Sequence, residues 1–188
     1  AEAASFKILW AGQWGGFRVY APLSLAGCRE RARVCPSSAW ILGVIAVHNW
    51  QLAVFDDRAA QDVWATDPSV LISSSYAPVG KVKVVDGGFR LSGRWSFSSG
   101  SEHCQWVFLG AVVPMPEAPF DMANYRTFLL PISDYAIVHN WDVVGLQGTG
   151  SHDIEVRNAF VPEYRTHRSL HGFECSSPGN AVNTHYIF

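Results

Sequence analysis

Residues 89–98 read FRLSGRWSFS, an alternation that leaves this chain little freedom in how it folds. Phe89, Leu91, Gly93, Trp95 and Phe97 share one parity, while Arg90, Ser92, Arg94, Ser96 and Ser98 share the other. A period of two over this length predicts a half-buried strand, with the aromatic set turned inward and the charged and hydroxyl set outward. Ser99 then falls on the inward parity as Gly100 lets the chain turn. A hydroxyl aimed at an apolar, aromatic-walled space needs a partner, because leaving it bare costs about 1–3 kcal/mol. A neighbouring backbone carbonyl is the ordinary partner, and a bound ligand is the alternative.

The same period recurs on both sides. VLISSSYA, KVKVV, FRLSGRWSFS, CQWVFLGAVV, YRTFLLPI, YAIVHNWDVV and HDIEVRNAFVP follow one another, separated by turn signals such as DGG and PMPEAP. They predict an antiparallel sandwich or barrel over residues 66–162. Upstream the pattern is helical. Pro22 suits a helix start ahead of LSLAGCRERARVC, and CPSS at 35–38 offers Ser37 or Ser38 as the N-cap of the next helix. Residues 39–55, AWILGVIAVHNWQLAVF, are apolar on nearly every face. Their rise of about 25 Å falls short of a hydrocarbon core of about 30 Å. His48, Asn49 and Gln51 argue further against a membrane span, so a buried central helix is expected. DDRAAQDVWA at 56–65 reads as a short helix with its acids early, where they complement the dipole.

The class is therefore α+β. Residues 1–65 form a partial N-terminal helical domain and 66–162 a middle β domain, while 163–188, polar and without clear period, begin a truncated C-terminal region. The start AEAASFKILWAGQWGG has neither an initiator methionine nor a signal-peptide pattern. The end NAVNTHYIF has no cap, and both ends read as parts of a longer polypeptide.

A net charge of -2 with no basic block excludes general binding to nucleic acid or an anionic membrane. Cys28, Cys35, Cys104 and Cys175 form no CxxC pair and suit reduced thiols in the cytoplasm. Positions 40, 44, 48 and 52 advance only about 40° per step on a helix, which puts Trp40 and His48 on one face. A neutral imidazole beside an indole suits a phenolic or carbonyl oxygen, and a core histidine bonded to a carbonyl or to Asn49 is the plainer reading. SSSYAPVG at 73–80 is either a turn-forming serine cluster or a row of small donors that lets a ring system approach the backbone. GLQGTGSHD at 145–153 has the wrong glycine spacing for a dinucleotide loop and predicts a tight turn. No metal is expected: HRSLH at 167–171 lacks a helical pattern and a neighbouring acid. His103 beside Cys104 gives no nucleophile dyad. The residues themselves thus suggest a cavity for a flat aromatic ligand and name no reaction.

Four blocks, SSAWILGVIAVHNWQLAVF, ISSSYAPVG, GGFRLSGRWSFSSGSEHCQWVFLGA and GLQGTGSHDIEVRNAFVPEYRTHR, together resemble the oxygenase components of two-component flavin-dependent aromatic monooxygenases. These are the relatives of p-hydroxyphenylacetate 3-hydroxylase and secosteroid-phenol hydroxylase, built on the acyl-CoA dehydrogenase fold. The resemblance implies a reaction in which a separate NAD(P)H-flavin reductase supplies reduced FMN, or FADH2. The oxygenase then uses O2, through a C4a-hydroperoxyflavin, to hydroxylate a small phenolic or related aromatic substrate. It further implies a homotetramer. Trp40, Ser74, Ser75, Tyr76, Phe97, Ser98 and Ser99 match flavin-contacting positions, with Ser99 near the flavin N5, where it slows loss of H2O2. His48 and Ser74 match positions that hold the substrate hydroxyl, so Ser99 and His48 are the expected catalytic pair. Aligning Gly93 and Trp106 with the more distant dehydrogenases places Phe97 on the aromatic residue and Ser99 on the threonine of their F-I-T-N-G strand end. The family's phosphate-binding arginine and phenol-activating histidine belong to a C-terminal helical bundle and have no counterpart here. The alternatives are an acyl-CoA dehydrogenase-like flavoenzyme, acting as a dehydrogenase or on a nitroalkane or sulfur heterocycle, and a non-catalytic fragment. The former would carry Y-x-x-T-E-P where this chain has SSSYAPVG.

Overall fold

The computed structural model describes residues 21–115, 117 and 121–181, so the opening AEAASFKILWAGQWGG, part of the PMPEAP loop and most of NAVNTHYIF lie outside the described residues. Helices α1 (Ala21–Ala32), α2 (Pro36–Leu52) and α3 (Asp57–Trp64) precede strands β1 (Ile72–Val85), β2 (Gly88–Ser98), β3 (Trp106–Val112), β4 (Tyr125–Pro131), β5 (Ala136–Val138), β6 (His152–Pro162) and β7 (Thr166–Arg168), and a short α4 (Ser169–Phe173) follows.

The strands form one sheet in the order β5-β6-β2-β1-β3-β4-β7. β1 joins its two halves by changing partner. Lys81–Val85 pair with β2 in an antiparallel hairpin, while Ile72–Ser75 pair with β3 in parallel. The two segments expected as separate strands are thus one, and the sheet is mixed rather than purely antiparallel. The hairpin uses only the second half of β1, and the free edge of its first half takes up β3 after the chain returns through the turn at Ser101–His103.

The two halves close on each other over a core of Phe89, Leu91, Trp95, Val107, Leu109, Ala111, Phe128, Leu130, Ile154 and Val156. On the far face of β3 and β4, Trp106, Phe108 and Leu129 pack against Leu52, Phe55, Ala59, Val63 and Trp64. β3 is therefore buried on both faces, which accounts for its unbroken apolar run WVFLGAV. Trp95 sits at the closure, its indole N–H donating to the carbonyls of Gly110 at 2.8 Å and Ala77 at 3.1 Å. A Cβ at Gly80 or Gly93 would lie 2.6 or 2.8 Å from its ring, so the glycine in SGRW makes room for the neighbouring tryptophan.

Other expectations need correction. α2 begins at Pro36 with Cys35 as its N-cap, not Ser37 or Ser38, because proline's fixed φ suits the first helical position. α2 is also only half-buried: Ala39, Leu42, Ile45, Ala46, His48, Asn49 and Leu52 face the protein, whereas Trp40 and Val47 are exposed. The expected strand at 135–144 shrinks to Ala136–Val138, and the polar stretch after Pro162 contains β7 and α4. α3 forms as expected, with the Asp56 carboxylate accepting from the Arg58 backbone N–H at 3.0 Å. No described helix is long and apolar enough to cross a membrane.

Candidate active site

The strand end that carries WSFSSG departs from its period at Phe97. The pairing of β2 with β6 slips between Trp95 and Ser98, and Phe97 takes a φ of +66°. This left-handed conformation is rare for a bulky side chain and marks a place where the fold holds strain. It reverses the parity. Phe97, expected inward, is 70% exposed, whereas Ser98, expected outward, is fully buried with no hydrogen-bond partner for its Oγ. The Phe97 ring meets Trp141 edge-on at 5.9 Å.

Phe97 and Ser99 thereby reach one open groove of about 510 Å³. Its first wall is the outer face of α2, where Trp40, Gly43, Val44 and Val47 recur at helical spacing and His48 lies deeper. The second is the first half of β1, with Ser74, Ser75, Tyr76 and Ala77. Ser96, Phe97 and Ser99 from the end of β2 complete it. Every residue expected to contact flavin or substrate lines this groove except Ser98. A second hollow between α1 and α2 shares Trp40, Gly43 and Val44.

Ser99 is buried and its partners are side chains, not the backbone carbonyl of the ordinary reading. Trp40 donates its indole N–H to Ser99 Oγ at 3.0 Å, and Ser151 Oγ lies 2.8 Å from the same oxygen. Ser151 Oγ is in turn 2.7 Å from Thr149 Oγ1, which donates to the Leu146 carbonyl at 2.9 Å. That carbonyl also accepts the Trp141 indole N–H at 3.1 Å. Thr149 and Ser151 come from GLQGTGSHD, which turns as expected at Gln147–Thr149. Their link to Ser99 bridges 52 residues of sequence and leaves no local signal.

His48 is buried, with its ring edge-on to Tyr76 and Phe108. Its Nδ1 lies 2.6 Å from the Ile72 carbonyl, so Nδ1 carries the hydrogen and Nε2 keeps a lone pair. Burial lowers its pKa from the ordinary 6.5 to about 4, so the ring is neutral at physiological pH. Ser75 Oγ donates to the Ser96 carbonyl at 2.7 Å and ties the two strands of the groove floor together. Tyr76 donates its hydroxyl to Gln51 Oε1.

Other candidates carry less. Burial pushes the Cys104 thiol up to about 12, which removes it as a nucleophile. His167 of HRSLH bonds Ser177 at 2.9 Å inside the fold. Glu102, His139 and His152 do converge, with ligand atoms within 4.8 Å of one another, a cluster the sequence did not signal. His152 Nδ1, however, accepts the backbone N–H groups of Asn140 and Trp141 at 3.1 Å, so its hydrogen sits on Nε2, the atom turned to Glu102.

Exposed Trp40, Val47 and Phe97 around small hydroxyls make apolar walls with polar points on the floor, a surface that fits a flat conjugated ring with a polar edge. The chain is 46% identical over 164 residues to the oxygenase subunit HsaA of a flavin-dependent monooxygenase from Mycobacterium tuberculosis, taking in 87% of this chain and 41% of that protein. It is 38% identical over 156 residues to the oxygenase component of an FADH2-dependent resorcinol hydroxylase from Rhizobium sp., covering 83% of this chain and 37% of that one. The crystal structure of 3-HSA hydroxylase from Rhodococcus sp. RHA1 superposes with a TM-score of 0.94 at 41% identity, over 100% of this chain and 49% of that one. No protein-family model matches. The chain spans less than half the length of these curated relatives. Over that span it is similar in sequence to oxygenase components of flavin-dependent monooxygenases and has the acyl-CoA dehydrogenase-like fold.

Proposed function

We propose that the full-length protein hydroxylates a phenolic or related aromatic compound with O2 and reduced flavin, FMN or FAD. The observation that carries this reading is the convergence of Trp40, His48, Ser74, Ser75, Tyr76, Phe97 and Ser99 on one groove. A bound reduced flavin supplies the two electrons that O2 requires, one oxygen entering the aromatic ring and the other leaving as water. Trp40, Phe97 and Val47 would line the faces of the flavin ring, Ser74, Ser75 and Tyr76 would meet its polar edge, and Ser99 would meet N5. Ser98 does not line the groove, and its buried Oγ has no hydrogen-bond partner.

His48 receives the substrate. With Nδ1–H held by Ile72, its Nε2 accepts the hydrogen of a phenolic hydroxyl and cannot donate to a carbonyl oxygen. Ser74 gives that hydroxyl a second partner. The same reading divides the chain at 1–65, 66–162 and 163–188 and makes the protein a cytoplasmic homotetramer. A separate NAD(P)H-flavin reductase supplies its flavin, as the words "subunit" and "component" in its relatives' names suggest.

Anaerobic titration of the full-length protein with photoreduced FMN and FAD, followed by tryptophan fluorescence, tests the reading. Saturable binding that weakens about tenfold in Ser99→Ala, as expected for one lost hydrogen bond, supports it. Absence of saturable binding with either flavin would overturn it.

A further inference from the structure

The four hydrogen bonds that run from Trp40 to Leu146 hold a fixed number of protons, and that number sets their direction. The Leu146 carbonyl has no proton to give, so the hydrogen in its 2.9 Å contact with Thr149 Oγ1 is the threonine's own. Thr149 can then only accept from Ser151 at 2.7 Å, and Ser151 can only accept from Ser99 at 2.8 Å. Trp40 can only donate, at 3.0 Å. Ser99, Thr149 and Ser151 are all buried, which keeps solvent from reorienting the hydroxyls. Ser99 therefore spends its proton on Ser151, accepts one from Trp40, and keeps a single lone pair for the groove it lines.

We infer that Thr149 and Ser151 are positioning residues that present Ser99 to the groove as a hydrogen-bond acceptor, selecting a ring that carries N–H at that point over one that does not. The inference rests on the proposed flavin site. The reduced ring carries hydrogen on N5 and meets the Ser99 lone pair with a donor. Oxidised N5 has only a lone pair, so two acceptors face each other. The relay thus favours reduced flavin on arrival and weakens the hold on oxidised flavin afterwards. Neither Thr149 nor Ser151 lines the groove, so both act through Ser99 alone.

Substituting the relay reverses its direction. In Thr149→Val, Ser151 loses its acceptor and turns its proton to Ser99, which then accepts twice and points its own proton into the groove. In Ser151→Ala the Ser99 proton is released directly. Ser151→Thr keeps the hydroxyl and the direction. The experiment measures anaerobic dissociation constants of the full-length protein for oxidised and reduced FMN, with thermal melting by circular dichroism to establish that each variant is folded.

The wild type is expected to bind reduced FMN more tightly. The ratio of oxidised to reduced dissociation constants should fall about tenfold in Thr149→Val and Ser151→Ala, mainly through tighter oxidised binding, and stay unchanged in Ser151→Thr. A purely structural role would weaken both redox forms in parallel and leave the ratio alone, which would overturn the inference while sparing the flavin site. A folded wild type that binds neither form would overturn both.

Discussion

Acidification should destabilise this fold well before its carboxylates protonate. His48 and His167 are buried, and burial lowers each from the ordinary 6.5 to about 4. A neighbouring His171 and Arg126 push His167 further in the same direction. Between those two values the unfolded chain takes up a proton that the folded chain refuses. Stability is therefore complete above 6.5 and declines as pH falls towards 4. Lowering the pH from 7 to 5 should remove about 2 kcal/mol per histidine and about 4 kcal/mol for both. Against a typical stability of about 5–15 kcal/mol this is a large fraction. Asp56 and Asp153 are lowered from 3.8 by their partners Arg58 and Arg94, and their contribution disappears only below that value, outside this window. Urea unfolding at a series of pH values measures the slope. His48→Gln keeps an N–H for the Ile72 carbonyl while removing the titration, so it should halve the loss, and the double variant with His167→Gln should abolish most of it. A stability that stays flat from pH 7 to 5, or an undiminished slope in the double variant, would refute this reasoning.

Further outcomes follow from single positions. Phe97→Gly should raise the thermal midpoint or leave it unchanged, because glycine accepts the φ of +66° that costs a side chain about 1 kcal/mol, while affinity for reduced flavin falls through loss of the ring. Gly110→Ala should cost about 3 kcal/mol in urea unfolding, since its Cβ would press on the Tyr76 carbonyl group, a backbone neighbour that cannot withdraw as a side chain can. Trp40→Phe should leave stability nearly unchanged at this half-exposed site but loosen Ser99, seen as a weaker dissociation constant for reduced flavin.

Periodicity made much of the architecture legible. The aromatic alternation located β2 with Trp95 inside, and CQWVFLGAVV located β3, although its burial on both faces emerged only in the folded chain. Helical geometry put Trp40 and His48 on one side of α2, although that side spirals from the open groove into the core rather than being buried along its length. The reading failed where one residue changed conformation: the left-handed turn at Phe97 moved its ring to the surface and sent Ser98 inside. The parallel pairing of β1 with β3 was equally invisible, because it follows from which edge the hairpin leaves free. Ser99 was legible as an inward hydroxyl, but Thr149 and Ser151 were not. Their turn reads as an ordinary loop until the fold carries it against β2, where the Gly100 N–H bonds the Thr149 carbonyl at 2.8 Å.

The most direct test of the central claim follows oxygen from gas to product. Full-length protein, photoreduced flavin and a phenol such as resorcinol or p-hydroxyphenylacetate would be mixed with 18O2 in the absence of any reductase, and the products analysed by mass spectrometry. The account predicts a catechol-type product carrying one labelled oxygen, with Ser99→Ala diverting the label to H2O2. Label found only in H2O2 and water across a panel of phenols, from a protein that binds reduced flavin, would contradict it.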